Sequence, residues 1–389
     1  MSRIFEHLTT LTNFGPRPIG SQANQAAADF IASTFSAAGL QVEEQPYACT
    51  AWDVQKTLLE INGERLDAAA NPFSPPCDVT APVVCAGTLP ELELAAAKGK
   101  LLLLYGELVS VPLSPKSWFL KEERDDKILQ TLEAIQPAAL LAPPTATDYY
   151  GQLTEDWELN LPAATISAEA ARRLMQNPDQ VAHLCIEAVR TPAAARNIVA
   201  RTHPNAKKRL VLCAHFDTKI NTPGASDNGG GVAVLLGLAE RLSKPDSGIG
   251  LEFVVFNGEE YLPMGDDEYL RRAESYFDSI QCAINMDGVG PMLGSTSITA
   301  FSESEAFEAK VRKAAVTFPG VVWVEPWPES NHSTFAFRGI PALALSAVGT
   351  RSLAHQPYDD LAGMSAAKLD EVASLVEKIV ADLAKIPAK

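Results

Sequence analysis

The sequence predicts an α/β protein: a mixed, mainly parallel sheet flanked by helices, with a mostly β domain inserted into it. Three observations lead there. From Asn197 onward, apolar strand-like runs alternate regularly with amphipathic stretches, the pattern of a parallel sheet covered on both faces by helices. Between about Thr50 and Thr191 the texture changes to short apolar runs separated by clustered prolines. The length of 389 residues exceeds what one compact domain usually holds.

The elements follow in chain order. An amphipathic helix is expected at Arg3–Leu11, then a turn region, NFGPRPIGS, over Asn13–Ser21. Ser21 is placed to cap the next helix, whose apolar positions Ala27, Phe30, Ile31, Phe35 and Ala38 keep helical spacing, and Gly39 stands where that helix should end. Leu40–Tyr47 alternates as a strand does. In the proline-rich stretch, strands are expected at Val83–Ala86, Lys100–Tyr105 and Ala138–Leu141. A charged surface helix is expected at Lys121–Ile135, and Thr165–Ile166 leads into a helix capped by Ser167. Beyond Asn197, strands are expected at 209–214, 250–256, 280–286 and 341–346, with helices at 229–242, 266–276, 303–316 and 365–385. The first of those helices carries Val232, Leu235, Leu236, Ala239 and Leu242 on one face. The domains read as 1–47 with 194–389, interrupted by 48–193.

Composition narrows the partners. Lys and Arg number 32 against 48 Asp and Glu, a net charge of −16. That balance argues against a nucleic-acid surface or an anionic membrane. None of the six cysteines stands in a CxxC pair, so buried reduced thiols are expected. The opening MSRIFEHLTTL lacks a basic segment followed by an apolar run and a small-residue cleavage site, and no stretch of 18 apolar residues occurs. The reading is a cytoplasmic protein, with a removed leader left open.

The residues that carry chemistry gather at predicted strand ends, where α/β sheets collect their ligands. His215 and Asp217 close the strand RLVLCAHFD. An imidazole there is a natural metal ligand, and a carboxylate two residues on can orient it. Asp227 opens a helix within GASDNGGG, whose glycines permit close backbone approach; it reads as an N-cap or as a carboxylate bridging two cations. Glu259 and Glu260 follow LEFVVFNG. They read as a solvated turn, or as a metal ligand beside a base that takes a proton from activated water. Asp287 ends QCAINMD, His355 lies in SLAHQPYDD and His332 in ESNHSTFAFRGIP. Taken singly, each is more often a structural residue.

As a set, the motifs AHFDTK, GASDNGGG, FNGEEY, NMDG, SNHSTFAFRGIP and HQPYDD, with FGPRPIGSQANQAAADFIASTF near the start, resemble the M28 family of zinc-dependent aminopeptidases in order and spacing. The insertion resembles a protease-associated (lid or apical) domain, LPAATIS being similar to its closing segment. The resemblance implies a zinc-exopeptidase-type fold and a metallopeptidase acting on peptides with a free N-terminus. It implies two zinc ions, His215 and Asp287 on one, Glu260 and His355 on the other, and Asp227 bridging. Glu259 would be the general base, Asp217 the residue behind His215, and His332 a substrate or oxyanion contact. It also implies a cis peptide bond at Asp227-Asn228.

Two positions depart from the family pattern. Asn331 stands where an aspartate is common, and Gly265-Asp266 replaces Gly-Ser after the paired glutamates, which is expected to touch only a helix cap. Ala354 before His355 leaves no tyrosine there to assist an oxyanion. Two alternatives stay open. One is a glutaminyl-cyclase-like aminoacyltransferase with a single zinc; the other is a non-catalytic, receptor-like scaffold. A carboxypeptidase would need Arg338 or Arg351 for the substrate carboxylate. A homo-oligomer is also left open.

Overall fold

The computed structural model describes residues 2–118, 121–144, 152–177, 180–244 and 249–384. The chain forms two compact units, Met1–Cys49 with Ala193–Lys389, and Thr50–Pro192. The crossings between them fall within two long strands, β1 (Gln41–Ile61) and β2 (Val181–Arg201).

In the first unit, β3 (Arg209–His215), β4 (Gly250–Phe256), β5 (Ile280–Met286), β6 (Ser295–Phe301), β7 (Val322–Trp323) and β8 (Ala342–Val348) join the end of β2 in the order β7-β6-β8-β5-β3-β4-β2. The pairs β7–β6, β8–β5, β5–β3 and β3–β4 are parallel, while β6–β8 and β4–β2 are antiparallel. The sheet is therefore mixed and mainly parallel.

Its central strands are buried on both faces, which explains their unbroken apolar runs. In β3, Leu210, Leu212 and Ala214 pack into one core and Val211 and Cys213 into the other. The larger core takes its helical residues from α1 (Arg3–Asn13), α2 (Gln22–Ala37), α3 (Gly231–Leu242), α5 (Glu305–Ala315) and α7 (Ala366–Ala384). The smaller is built on α4 (Met264–Ala273) and α6 (His332–Ala336), with Tyr269 and Phe335 in edge contact at 5.7 Å. Ser21 caps α2 by accepting the Asn24 N–H at 3.1 Å, and Gly39 follows it at φ +82°.

The differences from expectation have local causes. The strand expected to stop at Tyr47 continues to Ile61. Strands β6 and β7 carry no strand expectation. In β6 the hydroxyl residues of STSITAF interrupt the apolar pattern, and pairing with β8 makes the strand. The last residue of the helix expected at 365–385 lies outside the described residues.

The second unit has its own parallel ladder, Cys77–Ala86, Leu101–Leu104, Ala139–Ala142 and Ala163–Ile166, edged by antiparallel Ala68–Ala70. Three α-helices, Leu89–Leu94, Glu123–Ile135 and Ala168–Gln176, accompany these strands. The helix expected on the surface buries Ile128, Leu129 and Leu132, so one of its faces belongs to a core. All six cysteines are free. Among the described residues no helix is long and apolar enough to cross a membrane.

Candidate metal centre

The register of three parallel strands decides which side chains meet. His215, the last residue of β3, pairs with Phe256 of β4, and Cys213 pairs with Asn285 of β5. The three strands therefore leave the sheet at one edge. They deliver His215 from β3, Glu259 and Glu260 just beyond β4, and Asp287 just beyond β5. Gly258 makes the turn before the glutamates at φ +91°, where a side chain would be strained. Asp227 lies in the π-type turn Ala225–Gly230 that enters α3. A Cβ on Gly231 would stand 2.2 Å from the Met286 carbonyl, so glycine lets α3 start against the end of β5. The Asp227-Asn228 peptide bond is cis. His355 follows β8 in a loop, at φ +62°.

These six side chains converge. Oδ1 of Asp227 is 3.3 Å from Nε2 of His215, and its Oδ2 is 3.2 Å from Nε2 of His355. Nε2 of His215 is also 3.4 Å from Asp287 and 3.8 Å from Glu259. Nε2 of His355 is 3.0 Å from Glu260. His215, Glu259 and Asp287 offer ligand atoms within 4.8 Å of one another, and so do His215, Asp227 and Glu260.

Four carboxylates around two imidazoles in a buried site set the electrostatics. Burial pushes Glu259 well above the usual carboxylate range against the pull of His215, and the neighbouring Asp287, Glu260 and Asp227 add to the rise. Glu260 is raised by burial too. Burial alone would lower His215 and His355, but the carboxylates, Glu259 and Asp287 for the first and Glu260 for the second, hold both well above normal. Asp227 is opposed by burial yet drawn below its ordinary range by the two histidines facing its oxygens.

The donor set fits a divalent cation. Nε2 of His215 and Oε1 of Glu260 are buried without a hydrogen-bond partner, and they face the same small volume as the surrounding carboxylates. Imidazole nitrogens with carboxylate oxygens and no thiolate are what zinc and its divalent neighbours accept. A buried cluster of like charges of this kind is costly until a cation neutralises it.

Further residues hold the cluster. The carbonyl of Asp217 is 3.2 Å from Nδ1 of His215, closer than its carboxylate at 3.7 Å. That carboxylate instead accepts the N–H groups of Glu259 at 3.3 Å and Glu260 at 3.1 Å, pinning the glutamate turn to the end of β3. Sequence reasoning missed two others. Arg17, quoted only as part of a turn, is fully buried and donates to five carbonyls, those of Leu11, Gly15, Phe216, Pro223 and Gly224. It joins the His215 loop to the Asp227 loop; its one legible signal was an arginine inside a Gly/Pro turn. Asp359, four residues after His355, accepts from the Ser226 N–H and hydroxyl, both at 2.8 Å, and from the Asp227 N–H at 3.0 Å. Burial pushes its carboxyl up to about 6.

The structure also places His332 and corrects the expectation for Asp266. His332, expected to touch substrate, is completely buried, with Nε2 2.7 Å from the Trp327 carbonyl and its ring against Phe301 and Trp327. Its Nδ1 is buried without a hydrogen-bond partner. Asp266 does more than end a helix: α4 has no side-chain cap, and the buried Asp266 carboxylate accepts from Asn331.

Residues 197–380 match the family model described as peptidase family M28. That stretch, just under half of the chain, belongs to this family. Its relatives include the probable lipoprotein aminopeptidase LpqL of Mycobacterium tuberculosis, 24% identical over 66% of this chain and 51% of the relative. The aminopeptidase YwaD of Bacillus subtilis is 26% identical over 71% of this chain and 59% of the relative. The chain thus spans between half and three fifths of these two proteins. Among solved structures, BSAP, a zinc aminopeptidase from Bacillus subtilis, superposes with a TM-score of 0.81 over 100% of this chain and 96% of that one, at 23% identity. That likeness shows that the M28 fold is shared.

Proposed function

We propose that this protein is a zinc-dependent aminopeptidase that hydrolyses the N-terminal residue from peptides, with Glu259 as general base. The observation that carries the reading is Asp227, one carboxylate with each oxygen turned to a different histidine. In this reading His215 and Asp287 would hold one zinc ion, Glu260 and His355 the other, and Asp227 both. Two such ions acidify water toward neutral pH and draw charge from the scissile carbonyl.

The chain's own groups do the rest. Asp217 holds the glutamate turn, and so the placement of Glu259 against His215. Glu259 is more exposed than Glu260, its side chain retaining 21% against 3%, which suits a group that must exchange protons with substrate. It takes a proton from water as the oxygen attacks the carbonyl carbon. It returns that proton to the amide nitrogen as the C–N bond breaks, releasing an amino acid and a shortened peptide. Its raised proton affinity, from burial and neighbouring carboxylates, suits both transfers. The acidic cluster attracts the substrate's free α-amine.

A glutaminyl-peptide cyclotransferase of Drosophila melanogaster, 27% identical over 46% of this chain, keeps the single-zinc transferase as a second reading. The placement of His215 and His355 against the two oxygens of Asp227 favours two ions. The intact six-residue cluster speaks against a ligand-free scaffold. Thr50–Pro192 is proposed as the protease-associated-like module, and the protein as cytoplasmic, which cell fractionation tests.

The deciding experiment is a panel of aminoacyl chromogenic substrates and peptides with N-acetylated and C-amidated controls, run beside zinc analysis. Turnover abolished by N-acetylation, with about two zinc per chain, is expected. Indifference to N-acetylation would overturn the reading, and one zinc with release of cyclised product would favour the transferase.

A further inference from the structure

Asp266 presents a problem that stability does not answer. It is buried near the start of α4, and among the described residues it forms no ion pair. Its hydrogen bonds come from neutral groups. Nδ2 of Asn331 lies 3.0 Å from Oδ1 and 3.1 Å from Oδ2, and the Thr334 hydroxyl donates to Oδ1. Burial pushes its carboxyl up to about 6 in spite of these bonds. A neutral amide of the same shape could occupy the place without the cost of burying a charge.

The position of its partners supplies the answer. Asn331 is the residue before α6, and Thr334 lies in its first turn. The same turn reaches back to the preceding loop: His332 is bonded to the Trp327 carbonyl, and the Ser333 hydroxyl donates to the Pro328 carbonyl. On the far side, Asn285 donates to the Ser330 hydroxyl at 2.8 Å, two residues before Asp287. Trp327–Ser330 is thus clamped between α4, which follows the glutamate turn, and the end of β5, which carries Asp287. Pro328 and Glu329 of this loop are exposed.

We propose that Asp266 is a positioning residue: through Asn331 and Thr334 it fixes the Trp327–Ser330 loop beside Asp287, and so shapes the seat of the substrate and not the bond-breaking step. This rests on the aminopeptidase reading. A carboxylate is the acceptor that can hold the Asn331 amide at both oxygens and the Thr334 hydroxyl at once. The two departures from the M28 pattern, Asp266 and Asn331, are the two halves of this contact.

A reciprocal exchange tests it. Asn331→Asp sets two buried carboxylates against each other, whereas D266N/N331D restores one donor and one acceptor with the roles reversed. In the zinc-loaded enzyme, N331D is expected to raise KM for aminoacyl substrates about tenfold with kcat within about threefold, and to speed amide exchange in 327–334 about tenfold, while the double variant returns both toward the wild-type value. Unchanged exchange in N331D would overturn the proposal. So would faster exchange with unchanged KM, or failure of the double variant to recover at a wild-type melting temperature. If N331D does not fold, Thr334→Val, which removes one donor, is read the same way, and no change in KM or exchange overturns it. A wild type with no aminopeptidase turnover sinks the function reading instead, and amide exchange then decides by itself whether Asp266 holds the loop.

Discussion

The carboxylate of Asp359 accepts the backbone N–H of Asp227 at 3.0 Å, so the loop that carries His355 holds the loop that carries the carboxylate between the two histidines. Neither loop can shift without the other. Partners of this kind orient metal ligands without touching the metal.

Asp359→Ala is therefore expected to weaken zinc binding about 10–100-fold while leaving the six ligand and base residues intact. Competition with a chromophoric chelator measures it. Zinc affinity equal to the wild type would show that the Asp227 loop holds its shape without Asp359.

Glu259→Gln keeps the shape of the side chain and removes its proton affinity. The zinc content of the purified variant should match the wild type, and kcat should fall about 10²–10⁴-fold. Retained turnover would reassign the base.

Stripping the metal should lower the melting temperature, because only the folded state assembles ligands from five separate segments of the chain. At free zinc 100 times Kd the linkage is worth about 2.7 kcal/mol. Differential scanning calorimetry with and without a chelator reads it. A metal-independent melting curve would show that the carboxylate–imidazole cluster is stable without a cation.

Asp266 makes a prediction about pH. Its carboxyl is raised from the ordinary 3.8 to about 6. Between those values the folded state binds more protons than the unfolded state, so stability should fall as pH rises through that window. At about 1.4 kcal/mol per pH unit the loss approaches 3 kcal/mol, and it is complete above about pH 6. Asp359 adds a parallel slope, so the measurement is the difference between wild type and Asp266→Asn in denaturant unfolding of metal-free protein from pH 4 to 7. Identical slopes would mean that Asp266 is not titrating there.

Much of this protein was legible before its structure. The apolar runs at 209–214, 250–256 and 280–286 and the acids and imidazole at their ends announce a sheet with its chemistry at one edge, because a strand buried on both faces leaves a local signature and a ligand at its end is read from neighbours in sequence. The same reading missed β6, whose hydroxyl residues mask the pattern until β8 pairs with it. It also misjudged Asp266.

By itself the sequence determined the mixed α/β architecture and the family, through motifs each confined to a few consecutive residues. Only the tertiary structure decided which side chains face the cluster. It buried His332, gave Asp217 to the glutamate turn, set Arg17 on five carbonyls, and joined Asp266 to Asn331 and Asp359 to Asp227. Those partners are far apart in the chain, 65 residues for Asn331 and Asp266 and 132 for Asp227 and Asp359. Such a bond depends on distance and angle in space, which the order of residues along the chain does not encode locally.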